Sequence, residues 1–475
     1  MRRFLSVIVC SLFLRAGLIM TVAAQPPSRV PSLSDALELN RQNAPAIQSR
    51  QRLTQQSTFR IEESRLAYRP KVIAQTQAIY ATTNQVRGAF FPNAGSAPSL
   101  EGGIRPNGAG GQLANGSPLV WSSFTTLFFD WPLVDFGRTR SQVAVAQANY
   151  TRQQAALTNT TFQQQIETAD TYLRLLSNQQ LRQVEQANVE RQTRLQQITL
   201  AHTRPGLQPG VDSALAEADL AKARLQLLNA SQREISTKFR LAELTGLAAD
   251  SITLQASTAF QNPPANLTLT TEALSSHPAL LLQQADLDQG IRQAEAIRHS
   301  HLPAFRVIGA GFMRGSGVGD KESDITYNRN LGAGLRPRVF DAMIGVAMLW
   351  KLSDIISAKR GYQVQQQVNQ GHYANLQVTQ RQLRRAFDTA TLRYQTAQQS
   401  LVDATTQKLA SQQAYDRTVA RYQSGLTSQI ELSQTSFLLN QAEIRQQQAI
   451  YQNWQSLLGR AASSGSLTPF LQLIH

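Results

Sequence analysis

Two long stretches of the chain repeat apolar residues at alternating steps of four and three, the spacing of a helix with one buried seam. The first seam runs through Phe162, Ile166, Ala169, Leu173 and Leu176. The second runs through Leu383, Phe387, Ala390, Tyr394, Ala397 and Leu401. No proline occurs from 133 to 204, and none from 338 to 468. A helix that fills the first of these ranges would be roughly 100 Å long, far beyond the helices of ordinary globular domains.

Each seam is preceded by two segments in which apolar residues alternate at period two, as in a strand. Segments of this kind occupy 71–82, 120–131, 305–313 and 343–352. The residues at 87–118 are dense in Gly, Pro, Ser and Asn, which indicates a long loop between the first two. The pattern therefore predicts two strand pairs, at about 71–131 and about 304–352.

The combination of strand pair and long helix occurs twice. A turn glycine, Gly206, follows Trp131 by 75 residues, and Gly425 follows Trp350 by the same interval. Another interval, of 25 residues, separates Pro45 from Pro70 and Pro278 from Pro303. Matched spacing on both sides of a variable loop predicts two internal structural repeats.

Each repeat is predicted as a helix, a strand pair, a long helix, a turn and a return helix. The repeats occupy 25–246 and 271–460, with a linker at 247–270 and a C-terminal tail at 461–475. The long helices are placed at about 134–203 and 354–422, and the return helices at about 212–244 and 428–458.

The N-terminus predicts export. Arg2 and Arg3 precede an apolar run at 4–14, as in a secretory signal peptide, which we place at 1–24. The single cysteine, Cys10, lies inside this segment, so we expect an exported chain without disulfides. The formal net charge is +15, and removal of three arginines with the signal leaves +12. Export makes nucleic acid a poor partner for this charge, and none is predicted.

Strands of about ten residues are long enough to cross a bilayer when tilted, whereas no apolar run of helix-spanning length follows the signal. Open sheet edges are not tolerated in lipid, and four strands cannot close a barrel with a pore. Several chains would therefore have to combine their strands. About twelve strands from three copies would enclose a lumen, while about eight from two copies would leave little space.

The whole exported chain resembles the outer membrane efflux protein family, the TolC-like channels. The motifs that carry the resemblance are N-A-P at 43–45 with H-P at 277–278, W-P-L-V-D-F-G-R at 131–138, W-K-L-S-D at 350–354, and R-Y-Q-S-G-L-T-S at 421–428. The second junction departs from the first, because Ile356 and Ser357 stand opposite Gly137 and Arg138. This difference is expected to change the local geometry only.

The resemblance implies an α+β membrane protein that is a homotrimer. Four strands per chain would form a twelve-stranded outer-membrane β-barrel, continued into the periplasm by a long antiparallel α-helical tunnel. It implies a passive exit channel for efflux or type I secretion, joined by a periplasmic adaptor to an inner-membrane transporter. The channel would contact outer-membrane lipid. No enzyme activity, cofactor or metal site is predicted.

A periplasmic coiled-coil adaptor or scaffold of an export system is the alternative, since such proteins also contain long helical hairpins. An adaptor would normally show one hairpin within β-rich modules rather than two matched repeats of strands and helices. The channel is therefore the preferred interpretation.

The resemblance also implies that the two helix turns dock the adaptor. The residues concerned are Gly206, Leu207, Arg421, Tyr422, Gly425, Leu426 and Thr427. The alternative is a plain helix reversal, for which glycine supplies the conformation.

Two acids and three tryptophans complete the candidate site residues. Asp212 and Glu431 each lie six residues after a turn glycine, and a threefold ring of carboxylates at a narrow mouth would attract cations. Glu431 could instead only cap its helix. Trp121, Trp131 and Trp350 suit an aromatic girdle at a membrane surface, with ordinary packing as the alternative.

Overall fold

The computed structural model describes residues 32–81, 119–203, 210–254, 258–264, 271–317 and 327–473. The predicted signal peptide, the predicted loop at 87–118, and the turn residues Gly206 and Leu207 lie outside these ranges.

The described residues form long helices and four strands, joined by shorter helices. The helices are α1 Leu33–Asn43, α2 Pro45–Arg65, α3 Arg138–Thr203, α4 Gly210–Thr245, α5 Thr258–Gln261, α6 Pro278–His299, α7 Leu331–Leu335, α8 Asp354–Gln423, α9 Gln429–Ser464 and α10 Thr468–Leu471. The strands are β1 Lys71–Ala81, β2 Val120–Val134, β3 Ala304–Ser316 and β4 Val339–Leu349. With 66 and 70 residues, α3 and α8 are the two long helices expected from the proline-free stretches.

Local sequence accounts for several helix ends. The Ser32 hydroxyl accepts the Asp35 backbone N–H at 3.2 Å and caps α1. This helix ends just before Pro45, because a residue that precedes proline is pushed out of the helical region. Gly465 ends α9 in the left-handed conformation, with φ of 87°.

The C-terminal segment is more helical than predicted. The return helix α9 continues to Ser464 instead of ending near 458, and α10 occupies part of the predicted tail. Gly459, in the interior of α9, costs the helix only about 1 kcal/mol relative to alanine. Burial of Trp454, Leu457 and Ala461 on the same helix outweighs that cost.

The four strands form one antiparallel sheet in the order β1-β2-β3-β4. The two predicted strand pairs are thus joined through β2 and β3, which belong to different repeats. A register shift between Pro132 and Val134 ends this central pairing, as expected where proline cannot donate a ladder hydrogen bond. In the described chain, β1 and β4 each pair with one strand only.

The chain divides into two compact units. The sheet unit comprises 46–162 and 272–386, and contains the four strands. The helical unit comprises the described parts of 1–45, 163–271 and 387–475, and contains α4, α9 and segments of α3 and α8.

The core of the helical unit includes an aromatic group that fixes the linker against α9. The Trp454 ring stacks on Phe260 with centroids 6.3 Å apart, and Phe470 packs edge-on at 6.2 Å. The Trp454 indole N–H donates to the Phe260 carbonyl at 2.8 Å, so its one polar atom is satisfied in the interior.

Candidate functional site

The sheet has two chemically different faces, since opposite partners in an antiparallel ladder share a face. One face, here the apolar face, has no charged side chain among the paired residues of the described strands. Its members are Val72, Ala74, Thr76, Ala78 and Tyr80 on β1, Trp121, Ser123, Thr125, Leu127, Phe129 and Trp131 on β2, Phe305, Val307, Gly309, Gly311, Met313 and Gly315 on β3, and Phe340, Ala342, Ile344, Val346 and Met348 on β4.

The opposite face, here the polar face, carries the charged residues of the paired strands: Lys71, Asp130, Arg306, Arg314 and Asp341. Arg306 and Asp130 form an ion pair on neighbouring strands. The Arg314 guanidinium lies 4.6 Å from the centre of the Phe124 ring. Charges are therefore confined to one side of a sheet whose other side exposes large apolar groups, such as Ile344 at 83%.

Aromatic residues lie at both ends of the apolar face. At one end Trp121 and Tyr80 pack with ring centroids 5.1 Å apart. At the other end Trp131 donates its indole N–H to the Tyr68 carbonyl at 3.0 Å. The ten residue steps from Trp121 to Trp131 correspond to roughly 34 Å along a strand.

Trp131 and Trp350 occupy equivalent positions in the two repeats. Trp350 donates its indole N–H to the His301 carbonyl at 3.1 Å, as Trp131 does to that of Tyr68. Tyr68 lies three positions before the start of β1, and His301 lies three positions before the start of β3. Half-exposed indoles anchored at one polar atom suit a boundary between apolar and aqueous surroundings.

The two junctions between strand and long helix differ in geometry. Asp135 caps α3, because its carboxylate accepts the backbone N–H groups of Gly137 at 3.1 Å and Thr139 at 2.7 Å. Phe136 and Gly137 have φ of 50° and 90°, so α3 begins at Arg138 rather than near 134. The second junction, at Asp354, contains no residue of positive φ, which agrees with isoleucine standing in place of the glycine.

The turn between α8 and α9 is a Schellman motif followed by a serine N-cap. Leu426 N–H donates to the Arg421 carbonyl at 2.9 Å, and Gly425 N–H donates to that of Tyr422 at 3.0 Å. Gly425 supplies the left-handed residue, with φ of 71°. The Ser428 hydroxyl then accepts the Glu431 N–H at 3.3 Å and starts α9. Consecutive caps make this a defined turn rather than a loose reversal.

A buried network holds the turn to α3. Tyr422 is 1% exposed and packs with Leu195 and Leu432. Its hydroxyl lies 3.2 Å from the Thr199 hydroxyl, which also donates to the Gln429 side-chain carbonyl at 3.1 Å. The structure thus places Tyr422 in the interior, where it positions the turn and offers no surface to a partner.

Residues 66–247 match the model of the family described as Outer membrane efflux protein. The match covers 182 of the 475 residues. The family resemblance predicted from the sequence is thereby confirmed, although no curated protein sequence matches the chain.

Solved membrane channels share the fold of this chain. CmeC of Campylobacter jejuni aligns with a TM-score of 0.73 and 13% identity, over 91% of this chain and 85% of that chain. CusC aligns with a TM-score of 0.74 and 11% identity, over 94% and 96%. The open state of MtrE of Neisseria gonorrhoeae gives 0.66 and 16%, over 92% and 89%. The predicted TolC-like fold is confirmed, and the described residues are mostly helical with one four-stranded sheet.

The remaining predicted site residues lie at or near the two helix turns. Leu426 is 69% exposed, and the neighbouring Ile430 is 62% exposed. The Glu431 carboxylate accepts the Thr427 hydroxyl and forms an ion pair with Arg421 at 3.2 Å. Asp212 lies in the first turn of α4, where a negative charge is favourable.

A buried polar cluster in the helical unit was missed by the sequence analysis. Glu185 is 4% exposed and accepts an N–H of the Asn440 side chain at 3.4 Å. Burial raises the pKa of Glu185 above its usual range. On the same pair of helices, Arg191 makes a two-pronged ion pair with Glu443 at 2.6 and 3.2 Å. Glutamine-rich helices give no periodic signal for such positions, because most of their polar residues face solvent.

None of the helices within the described ranges is both long enough and apolar enough to span a bilayer.

Proposed function

We propose that the chain is one protomer of a trimeric channel in an outer membrane, with its sheet in the bilayer and its long helices in the periplasm. The observation that carries the proposal is the apolar face, which has no charged side chain among its described strand residues and is bordered by aromatic residues. Strands tilted at about 40° reduce the 34 Å between the levels of Trp121 and Trp131 to a height of roughly 26 Å. This matches the apolar band of about 25 Å that is usual in membrane strands.

The edges of the sheet support the trimer. In the described chain β1 and β4 are the edge strands, each paired with one strand only, and an open sheet edge costs several kilocalories per mole per unsatisfied backbone group in hydrocarbon. Pairing β4 of one copy with β1 of the next would remove both edges. Three copies would supply about twelve strands and enclose a lumen lined by the polar face.

A pair of adjacent residues on β4 tests the membrane face. Ile344 lies on the apolar face, and Met343 lies on the polar face. Lysine on the lipid side of a membrane strand costs about 2–4 kcal/mol near the bilayer midplane, whereas lysine in a lumen costs little. We therefore expect Ile344→Lys to deplete heat-modifiable trimers from the outer-membrane fraction, and Met343→Lys to leave them.

Equal trimer yields for the two lysine variants would contradict the assignment of the faces. A purified chain that remains monomeric and soluble without detergent would contradict the channel as a whole.

We further propose that the α8–α9 turn, and the turn at Gly206 and Leu207, dock a periplasmic adaptor that couples the channel to an inner-membrane transporter. Support comes from the rigid double cap and from the exposed Leu426 beside Arg421 and Thr427. Tyr422 would act by holding this surface in place.

Substitutions at Gly425 test the docking surface. Nothing lies within 4 Å of a Cβ built there, so added bulk would project into open space. We expect Gly425→Trp to abolish efflux in cells while trimers persist. Gly425→Ala carries the same backbone strain without the bulk and should retain most activity. Normal drug resistance with Gly425→Trp would refute docking at this turn.

Asp212 and Glu431 are proposed to set the charge of the periplasmic mouth. Because Arg421 is paired with Glu431, the ring would be weaker than one of free carboxylates. We expect Glu431→Gln to reduce cation selectivity in planar bilayers. Unchanged selectivity would place Glu431 outside the conduction path.

A further inference from the structure

The segment between β3 and β4 lies against the apolar face of the sheet. Its described part, here called the rim segment, comprises residues 327–338 and contains α7. A Cβ built on Gly315, which belongs to the apolar face, would lie 2.6 Å from the carbonyl oxygens of Gly334 and Arg336. The Ser123 hydroxyl, on the same face, donates to the Gly334 carbonyl at 2.9 Å. The rim segment therefore lies on the side of the sheet that the proposed function assigns to lipid.

The rim segment lies at the end of the sheet opposite the long helices. Its partners Ser123 and Gly315 lie near the start of β2 and the end of β3, whereas α3 continues from the end of β2 and α8 from the end of β4. A Cβ built on Gly334 would also meet the Trp121 side chain, at the aromatic end of the apolar face. If the helices lie in the periplasm, this end of the sheet reaches the outer leaflet.

Neighbouring copies would leave the rim segment accessible. These contacts are made with β2 and β3, the two inner strands of the sheet. Pairing of β4 with β1 of the next copy would add strands at the sheet edges only.

The composition of the rim segment differs from that of the apolar strands beside it. It contains no acidic residue, and its three arginines are all exposed: Arg329, Arg336 and Arg338. Its exposed large apolar side chains are Tyr327 at 41%, Leu331 at 48% and Leu335 at 44%. Guanidinium and apolar groups mixed on one short surface suit the level at which hydrocarbon meets charged headgroups.

Backbone hydrogen bonds hold the rim segment to the strands near both of its ends. The Asn328 N–H donates to the Gly317 carbonyl at 2.7 Å, and the Arg338 N–H donates to the Arg314 carbonyl at 2.8 Å. The arginines are thus presented from an ordered backbone, which lowers the entropy lost when a ligand binds.

Charge and location together select the occupant. A guanidinium offers a planar fork of donors that matches the oxygens of a phosphate group. The outer leaflet of an outer membrane consists of lipopolysaccharide, whose lipid A carries phosphate groups at the level where its acyl chains begin. Arginines at the outer border of an apolar face would lie at this level.

We propose that the rim segment binds the phosphate groups of lipid A through Arg329, Arg336 and Arg338. The inference rests on the proposed function, since it requires the apolar face to lie in an outer membrane with the helices in the periplasm. It adds a specific anionic lipid to that function and gives part of the positive charge of the chain a partner.

Removal of the arginines tests the inference. Purified trimers in detergent are titrated with lipid A, and the bound lipid is counted by native mass spectrometry. We expect the triple variant R329Q/R336Q/R338Q to bind lipid A about tenfold more weakly than the wild type, because charge-assisted hydrogen bonds to phosphate are lost. Wild-type trimers should bind lipid A more tightly than monophosphoryl lipid A or phosphatidylglycerol, each of which offers one phosphate.

The triple variant R381Q/R384Q/R385Q is the matched control. It removes the same charge from three exposed arginines of α8, and Arg381 lies 27 residues after the start of that helix. This variant should bind lipid A as the wild type does.

Equal binding by the wild type and the rim variant, or equal loss in the α8 variant, would overturn the inference. Wild-type trimers that bind phosphatidylglycerol as tightly as lipid A would also overturn it. Conductance of the same samples separates the two proposals, because trimers that conduct ions but bind no lipid A leave the channel standing. Chains that form no trimers in detergent would overturn both.

Discussion

The turn glycine Gly425 gives a local test of the helix reversal. Its φ of 71° lies in the left-handed region, which costs an L-residue roughly 1–2 kcal/mol. Since a Cβ at this position meets nothing within 4 Å, replacement by alanine adds strain without a clash. Alanine also lowers the conformational entropy of the unfolded chain, which stabilises the folded state by about 0.4–1 kcal/mol. The net destabilisation of the Gly425→Ala turn is therefore about 1 kcal/mol.

That free energy converts into an exchange rate. The amide of residue 425 donates to the Tyr422 carbonyl, and the Leu426 amide donates to the Arg421 carbonyl, so both are protected only while the turn is closed. Every 1.4 kcal/mol is tenfold in an equilibrium, and 1 kcal/mol corresponds to about fivefold. We expect these two amides to exchange about fivefold faster in Gly425→Ala, measured by hydrogen exchange at constant pH.

Two controls isolate the cause. Gly425→Asn should exchange within about twofold of the wild type, because asparagine tolerates the left-handed region. Gly459→Ala changes a helical glycine of α9 that has no positive φ and open space around its Cβ, and should leave the turn unaffected. Unchanged or slower exchange at Leu426 in Gly425→Ala would refute the assignment of strain to this residue.

Three further predictions concern the helical unit and use the apparent melting temperature or the denaturant midpoint. Burial raises the pKa of Glu185, so the folded state binds its proton more readily than the unfolded state, and stability falls as the pH rises through and above the usual value of 4.5. Glu185→Gln should therefore raise the melting temperature near pH 7 and not near pH 4, and an equal gain at both would contradict this. Arg191→Met and Glu443→Gln should each lower the free energy of unfolding by about 3 kcal/mol, because each leaves one largely buried charge without its partner. The double variant should cost less than the sum of the two, and strict additivity would show that the pair is not coupled. Trp454→Phe keeps the ring packing but loses the 2.8 Å hydrogen bond to the Phe260 carbonyl. We expect the free energy of unfolding to fall by about 1–2 kcal/mol. An unchanged denaturant midpoint would argue against that hydrogen bond.

The elements of the fold could be predicted because they depend on local periodicity and on glycine and proline. The seam residues Leu173 and Tyr394 are buried as their spacing predicts, and Gly425 has the positive φ expected of a turn glycine. The start of α3 was placed too early. A pattern of apolar residues does not reveal that Asp135 would cap the helix through two later backbone N–H groups.

The pairing of strands that are distant in the sequence was harder to predict. Period-two alternation shows which residues share a face of a strand, but it contains no information on which strand lies alongside. The joining of β2 to β3 across the repeats was for this reason not predicted. In the candidate site, Tyr422 was expected on the surface because it lies in the turn motif. Its burial depends on Leu195 of a helix more than 200 positions earlier in the chain.

The pairing of β2 with β3 also constrains how the chain is made. Asp130 and Arg306, which form an ion pair across it, are 176 residues apart, so the central ladder cannot close until most of the polypeptide has been synthesised. Until then the hairpin of β1 and β2 has two open backbone edges and an exposed apolar surface, and both features favour aggregation of strands. The order of the strands therefore leaves an apolar, edge-exposed hairpin without its central partner for as long as β3 has not been made.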